Sequence, residues 1–250
     1  MRRALVLPLL LPSLLSALLA VGCSSGDRTS ALVKSVIDDL VAQRFGTATA
    51  RYRNDEEAIL SPAAAPGWRR GLDHQDATVR EWSVDALARI GEPEDVSRIV
   101  AALDDPFRGV QEAAERGIID MDPAAARTAF AERLASGDAA QQMISAQGLA
   151  DLGDPAAVDL LLAEVGNPVA EDAVRRVIVQ SLAVLSEPRA IGPLAAIAAD
   201  GDVSLLLRRS AAEGLATFDQ EEATEALRRL LDSDDGYVRE LARRAIAARR

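Results

Sequence analysis

The chain has 250 residues, 49% apolar and 27% charged, which is the balance of a folded protein with a sizeable core. Aromatic residues make up only 3%, and Lys34 is the single lysine. Its formal charge of −11 disfavours phosphate-rich partners in the absence of a local basic patch, because affinity for nucleic acid comes mostly from neutralising phosphates with Lys and Arg.

The chain opens with Arg2 and Arg3, followed by an apolar stretch from Ala4 to Leu19 that is interrupted by Pro8 and Pro12, and then by the small residues Ala20, Val21 and Gly22 before Cys23. This order is that of an export signal. Its end resembles the lipobox of bacterial lipoproteins, in which the cysteine is lipidated and becomes the mature N-terminus. Ala20 stands where the pattern most often has Leu. Ala20 and Gly22 also fit an ordinary secretory cleavage site, so both readings cut the same bond and differ in whether Cys23 carries lipid. Cys23 is the only cysteine and has no intramolecular disulfide partner, which favours lipidation. Removal of residues 1–22 leaves 26 basic against 39 acidic side chains, a formal charge of −13. In a host with two membranes, Ser24 in place of an aspartate retention signal points to the outer one. Residues 23–30 are expected to form a short flexible tether.

Leu32, Val33, Val36, Ile37, Leu40 and Val41 describe one amphipathic helix and Ala50 to Leu60 a second, followed by a proline-rich turn from Ser61 to Gly67. Residues 31–73 are read as an N-terminal helical cap that covers the apolar end of a repeat array, or as a partner-binding helix pair.

From residue 74 the chain repeats. Val79, Val110, Gln141, Val174, Leu207 and Val238 are spaced by 31, 31, 33, 33 and 31 residues. Eight positions after each stands Leu87, Ile118, Leu149, Leu182, Leu215 or Ile246. Seven positions after each is a small residue: Ala86, Gly117, Gly148, Ser181, Gly214 or Ala245. Offsets of 0, +4, +7, +8 and +11 share one helical face, so each repeat begins with an amphipathic helix whose small column admits a close neighbour. A second helix follows an acid-proline pair in four repeats: Glu92-Pro93, Asp122-Pro123, Asp154-Pro155 and Glu187-Pro188. An acid at a helix start complements the dipole, and proline fits the first turn because its missing N–H has no partner there anyway. Asp76, Asp138 and Asp235 are expected to cap first helices.

Two helices per 31 to 33 residues, five times over with a final single helix, resemble HEAT repeats of the bilin-lyase-like subclass. The resemblance implies an all-α fold, an α-solenoid of helical hairpins over residues 74–250. Val79-Arg80, Val174-Arg175, Leu207-Arg208 and Val238-Arg239 match the family's hydrophobic-Arg step, in which the Arg helps to join neighbouring repeats. Gln111 and Gln142 replace that Arg, which implies a different join in the middle of the array. The family includes enzymes: deoxyhypusine hydroxylases bind iron through repeated His-Glu pairs, and bilin lyases handle tetrapyrroles. No His-Glu pair occurs here.

Little catalytic chemistry is available. His74 is the only histidine and has no accompanying nucleophile motif, so it is read as a surface residue beside a repeat turn. The sequence implies neither metal nor cofactor. The carboxylates Asp104 and Asp105, and Asp232, Asp234 and Asp235, lie at inter-repeat turns, where capping explains them. Trp82 falls in a column with Ala113, Ile144, Val177, Ser210 and Leu241 and is read as packing. The stretch from Asp219 to Arg250 holds seven arginines and eight acids, a mixed-charge face. The expected function is a lipid-anchored, non-enzymatic scaffold that binds a protein or peptide in the cell envelope. Asp95, Arg98, Arg127, Asp159 and Arg189, on exposed positions of the second helices, are the candidate surface. An enzyme of the HEAT-like group and a purely structural envelope component are the alternatives.

Overall fold

A computed structural model describes residues 25–167 and 169–249. The expected export signal and Cys23 lie outside them. The described residues fold as α-helices and short 3₁₀ turns, an all-α chain in two compact units that divide after Glu92.

The first unit holds α1 (Ser25–Val41), α2 (Phe45–Asn54), α3 (Glu56–Ile59), α4 (Ala65–Gly71) and α5 (Ala77–Ile90). Val33, Val36 and Leu40 of α1 are buried, as their spacing predicts. Helix α1 begins earlier than expected: residues 25–30 are helical rather than an extended tether, and Thr29 is buried with the core residues. The expected second helix is broken at Asp55 into α2 and α3. The proline-rich turn is itself helical, a 3₁₀ turn at Pro62–Ala64 running into α4, because Pro62 and Pro66 occupy first-turn positions that need no N–H donor. Trp68 is fully buried, and its indole N–H donates to the Ile59 carbonyl at 2.9 Å. Gly67 is required by contact, since a Cβ there would lie 2.8 Å from Val33 Cγ1. Tyr52 packs against Trp68 and meets Trp82 edge-on at 5.4 Å, so Trp82 has the packing role expected of it. Asp39 is buried between Arg44 and Arg51 and accepts from both; the Arg44 hydrogen bond is the main cause of its lowered pKa.

The second unit is an α-solenoid. It comprises α6 (Val96–Ala102), α7 (Arg108–Met121), α8 (Pro123–Ser136), α9 (Ala139–Leu152), α10 (Pro155–Val165), α11 (Asp172–Val184), α12 (Ile191–Ala199), α13 (Leu205–Ala216), α14 (Glu221–Arg229) and α15 (Gly236–Ala247). The first helices α7, α9, α11, α13 and α15 pack in succession, and the second helices do so at α6–α8, α8–α10 and α12–α14. The repeat columns are the core: Val110, Val174, Leu207 and Val238 are buried, as are Ile118, Leu149, Leu182 and Leu215. Ile246 is only half-buried; among the described residues no helix follows α15 to cover it.

The exception in the anchor column has a local cause. Gln141 is half-exposed because it completes a capping box: its N–H donates to Asp138 and its side chain accepts from the Asp138 N–H. Asp76 and Asp235 cap α5 and α15, while Asp122 and Asp154 cap α8 and α10 and Glu187 caps the 3₁₀ turn before α12. Helices α5 and α9 end on Gly91 and Gly153, which take the left-handed conformation that favours glycine.

The small column works as expected. A Cβ on Gly148 would stand 2.5 Å from two ring carbons of Phe130 on α8, and one on Gly214 would stand 3.3 Å from Leu194 on α12. Ser181 donates across to the Ala146 carbonyl of α9 at 3.1 Å.

The two glutamines do the work of the arginines they replace. Arg80 donates to the His74 carbonyl, Arg175 to that of Val165 and Arg239 to that of Ser233. Gln111 donates to the Asp105 carbonyl at 2.6 Å and Gln142 to the Leu134 carbonyl at 2.9 Å. The shorter amide suffices because the acceptors, the carbonyls before each first helix, need one donor and no charge.

Candidate functional site: a groove across three first helices

Within the second unit an open groove of about 480 Å³ crosses α7, α9 and α11. Helix periodicity places Arg108, Glu112, Glu115 and Arg116 along one face of α7, with Gln147, Ala150 and Asp151 on α9 and Val177, Gln180, Ser181 and Val184 on α11. The small residues Ala150 and Ser181 leave the space that larger side chains would fill.

Two charge arrangements differ sharply along this face. Arg108 is engaged: it donates to Glu112 at 2.8 Å and to the Gln147 side-chain oxygen at 3.2 Å. Glu115 is not. It is only 6% exposed, yet it makes no hydrogen bond or ion pair with any described residue. Burial, first, and then the negative charge of Asp151 push its pKa up to about 7, against the opposing pull of Arg108 and Arg116. At the apolar side of the groove Val184 is 79% exposed, an unusual position for a large aliphatic side chain.

Sequence reasoning missed Glu115, although a signal was present. Five positions after each anchor the chain has Val84, Glu115, Ala146, Val179, Ala212 and Arg243, and every member of this column except the last, at the end of the array, is buried. A lone acid among the buried members of a column whose other four are apolar marks a polar group held inside for a reason.

The second-helix surface is arranged differently from the expectation. Asp95 is not exposed: the 3₁₀ turn at Pro93–Asp95 shifts the helical register and buries it completely, with Arg98 donating to it at 3.1 Å. Arg127 is paired with Asp154 of the next hairpin, and Arg189 bridges Asp159 at 2.5 Å and Glu187 at 2.9 Å. Arg127 and Asp159 come together beside a shallow groove between α8 and α10. These charges link one hairpin to the next. Their partners are already in place.

Several of the other polar and charged groups are also engaged within the fold. His74 is half-buried, and its Nδ1 accepts from the Asp76 N–H in the turn before α5. Asp104 accepts from Arg133 and Gln141, Asp234 pairs with Arg208, and Asp235 with Arg209. In the C-terminal stretch Arg228 pairs with Glu221, Arg243 and Arg244 with Glu240, and Arg249 donates to the carbonyls that end α13. Among the described residues no three His, Cys, Asp or Glu side chains are grouped so as to hold a metal ion.

Fold and groove together define an α-solenoid of stacked helical hairpins. A sequence profile described as HEAT repeats matches residues 169–247, from the turn before α11 to the end of α15. No curated protein matches the chain. Similar solved structures include human deoxyhypusine hydroxylase in complex with glycerol, at 18% identity over 94% of this chain and 98% of that one, with a TM-score of 0.45. A designed armadillo repeat protein is similar at 17% identity over 74% of this chain and 100% of that one, with a TM-score of 0.43. The complex of CpcE and CpcF of phycocyanin lyase from Nostoc sp. is similar at 19% identity, covering 74% of this chain and 76% of that one, with a TM-score of 0.43.

Proposed function

We propose that this chain is exported, anchored by lipid on Cys23, and acts as a scaffold in the bacterial cell envelope that binds a segment of another protein and carries out no reaction of its own. The groove across α7, α9 and α11 carries the binding part of this reading. It joins an unpaired buried acid to an exposed aliphatic residue on a rigid helical face, whereas the charges of the second helices are spent on one another. Solenoids present such faces as extended binding surfaces. The address rests on the order of Arg2 and Arg3, the apolar stretch and the small residues before the lone Cys23.

The two parts are tested separately. Cys23→Ser is expected to release the protein from the membrane fraction of its host, and unchanged fractionation would sink the lipid anchor. Crosslinking in intact envelopes is expected to capture a partner that Val184→Asp loses and Arg127→Glu retains. A partner held equally by Val184→Asp, or no partner at all, overturns the groove as the docking site.

A further inference from the structure

We propose that the groove receives a lysine or arginine side chain of the partner polypeptide, its cationic end seated against Glu115 and its methylene stem against Val177 and Val184. This rests on the groove being the docking site, and names what docks there.

The main observation is the state of Glu115. An ionised carboxylate taken out of water is costly unless it is paired, and natural cores almost always provide the partner. Here the side chain is 6% exposed and has neither hydrogen bond nor ion pair among the described residues; its oxygens are not among the fully enclosed unpartnered atoms, so they face the open groove rather than the closed core. A cation entering from outside supplies the missing partner.

The surroundings favour a cation over other ligands. Asp151 faces Glu115 from α9 and Glu112 from its own helix, while α11 contributes no charged group to the lining, only Val177, Gln180, Ser181 and Val184. Of the two lining arginines, Arg108 is held by Glu112 and Gln147, and Arg116 is exposed to solvent. An anionic ligand would meet the carboxyl groups of Glu115 and Asp151, with Arg116 alone to offset them, since Glu112 and Arg108 are paired with each other. A cationic one would meet the complementary potential, and the acidic chain as a whole would steer it inward.

The shape selects a long side chain rather than a bare ion. Lysine and arginine lay their alkyl stems on apolar surface and keep the charged end in a polar site. Val184, 79% exposed, and Val177 offer that surface beside the acids. The groove is open along three helices, so a polypeptide can lie across it, and its volume of about 480 Å³ suits a side chain with neighbouring backbone. Because Glu115 holds its proton up to about pH 7, seating a cation expels that proton, and affinity should rise between pH 6 and pH 8. The charged groups acting on it are Arg108, Glu112 and Arg116 on α7 and Asp151 on α9.

The probe is a capped pentapeptide of sequence leucine-serine-lysine-serine-leucine, titrated into the purified protein and followed by NMR shifts of α7, α9 and α11. The lysine peptide is expected to shift groove resonances at millimolar concentration or below. The same peptide with its lysine acetylated, and the lysine peptide with Glu115→Gln, are each expected to bind at least tenfold more weakly. Glu115→Gln preserves side-chain shape, and its circular dichroism should match the wild type. If the acetylated peptide binds as tightly as the lysine peptide and Val184→Asp abolishes both, the groove docks peptides but the cation seat is wrong. If neither peptide shifts the groove, the proposal falls, and envelope crosslinking with Val184→Asp decides separately whether the groove docks a partner at all. If butylammonium or agmatine binds through Glu115 while the peptide does not, the site takes a small amine and the polypeptide claim is overturned.

Discussion

Phe130→Ala is expected to destabilise the second unit by about 3–5 kcal/mol, the range for removing a buried aromatic ring. Phe130 is fully buried, and its ring fills the space that Gly148 leaves on the neighbouring first helix. The reciprocal change is informative because two effects oppose each other. Gly148→Ala gains roughly 1 kcal/mol of helix propensity, but its new methyl would stand 2.5 Å from two carbons of a ring with nowhere to retreat. Overpacking costs about 1–3 kcal/mol, so a net loss is expected. In the Gly148→Ala background Phe130→Leu should cost less than it does alone, by about 1 kcal/mol or more in a double-mutant cycle. Urea denaturation of the four proteins measures this. Additive effects would mean that helices α8 and α9 do not meet through this pair.

The second large effect is a pH dependence of stability centred on Glu115. Its carboxyl is raised to about 7 from an ordinary 4.5, so between these values the native chain binds more protons than the unfolded one. The stabilisation is complete below about pH 4.5 and is lost as pH rises through 7. At 1.36 kcal/mol per unit, the shift amounts to about 3 kcal/mol over the whole window and about 2–3 kcal/mol between pH 5 and pH 8. Asp39, Asp154, Asp234 and Asp235 act in the opposite sense, since arginine and backbone hydrogen bonds lower their pKa values. Their contributions are lost only as pH falls below the ordinary carboxylate range, outside the window from 5 to 8 in which Glu115 acts. Wild type should therefore be less stable at pH 8 than at pH 5, and Glu115→Gln should abolish that loss and be the more stable protein at pH 8. Parallel pH profiles would show that the carboxyl is not the titrating group.

Much of the fold was legible because it is built from local and periodic signals. Asp138 reads as a cap from its place three residues before the anchor column, and the box it forms with Gln141 is completed within four consecutive residues. The columns through Val110, Ile118 and their equivalents define a buried stripe wherever a helix of that period is formed. Gln111 and Gln142 were legible as departures but not as functional equivalents, since only the chain path shows that the carbonyls of Asp105 and Leu134 lie within reach of a shorter side chain. The N-terminal region was read less well. The break at Asp55 and the helical turn at Pro62–Ala64 leave no periodic trace, and the Trp68 hydrogen bond to the Ile59 carbonyl that joins this region is visible only in the folded chain.

The candidate site divides along the same line. By itself the sequence determined the helices, their stacking order and the scarcity of catalytic side chains, because spacing along a helix sets which residues share a face. It also contained the exceptional Glu115 in its apolar column. Only the tertiary structure decided which exposed charges are already used and which face stays open. Arg127 and Arg189 find their partners in neighbouring hairpins 27 and 30 residues away, and Asp95 turns inward through a 3₁₀ step. Partner choice across hairpins depends on distances between helices that no single-helix pattern encodes, and so does the groove that leaves Glu115 buried without a partner.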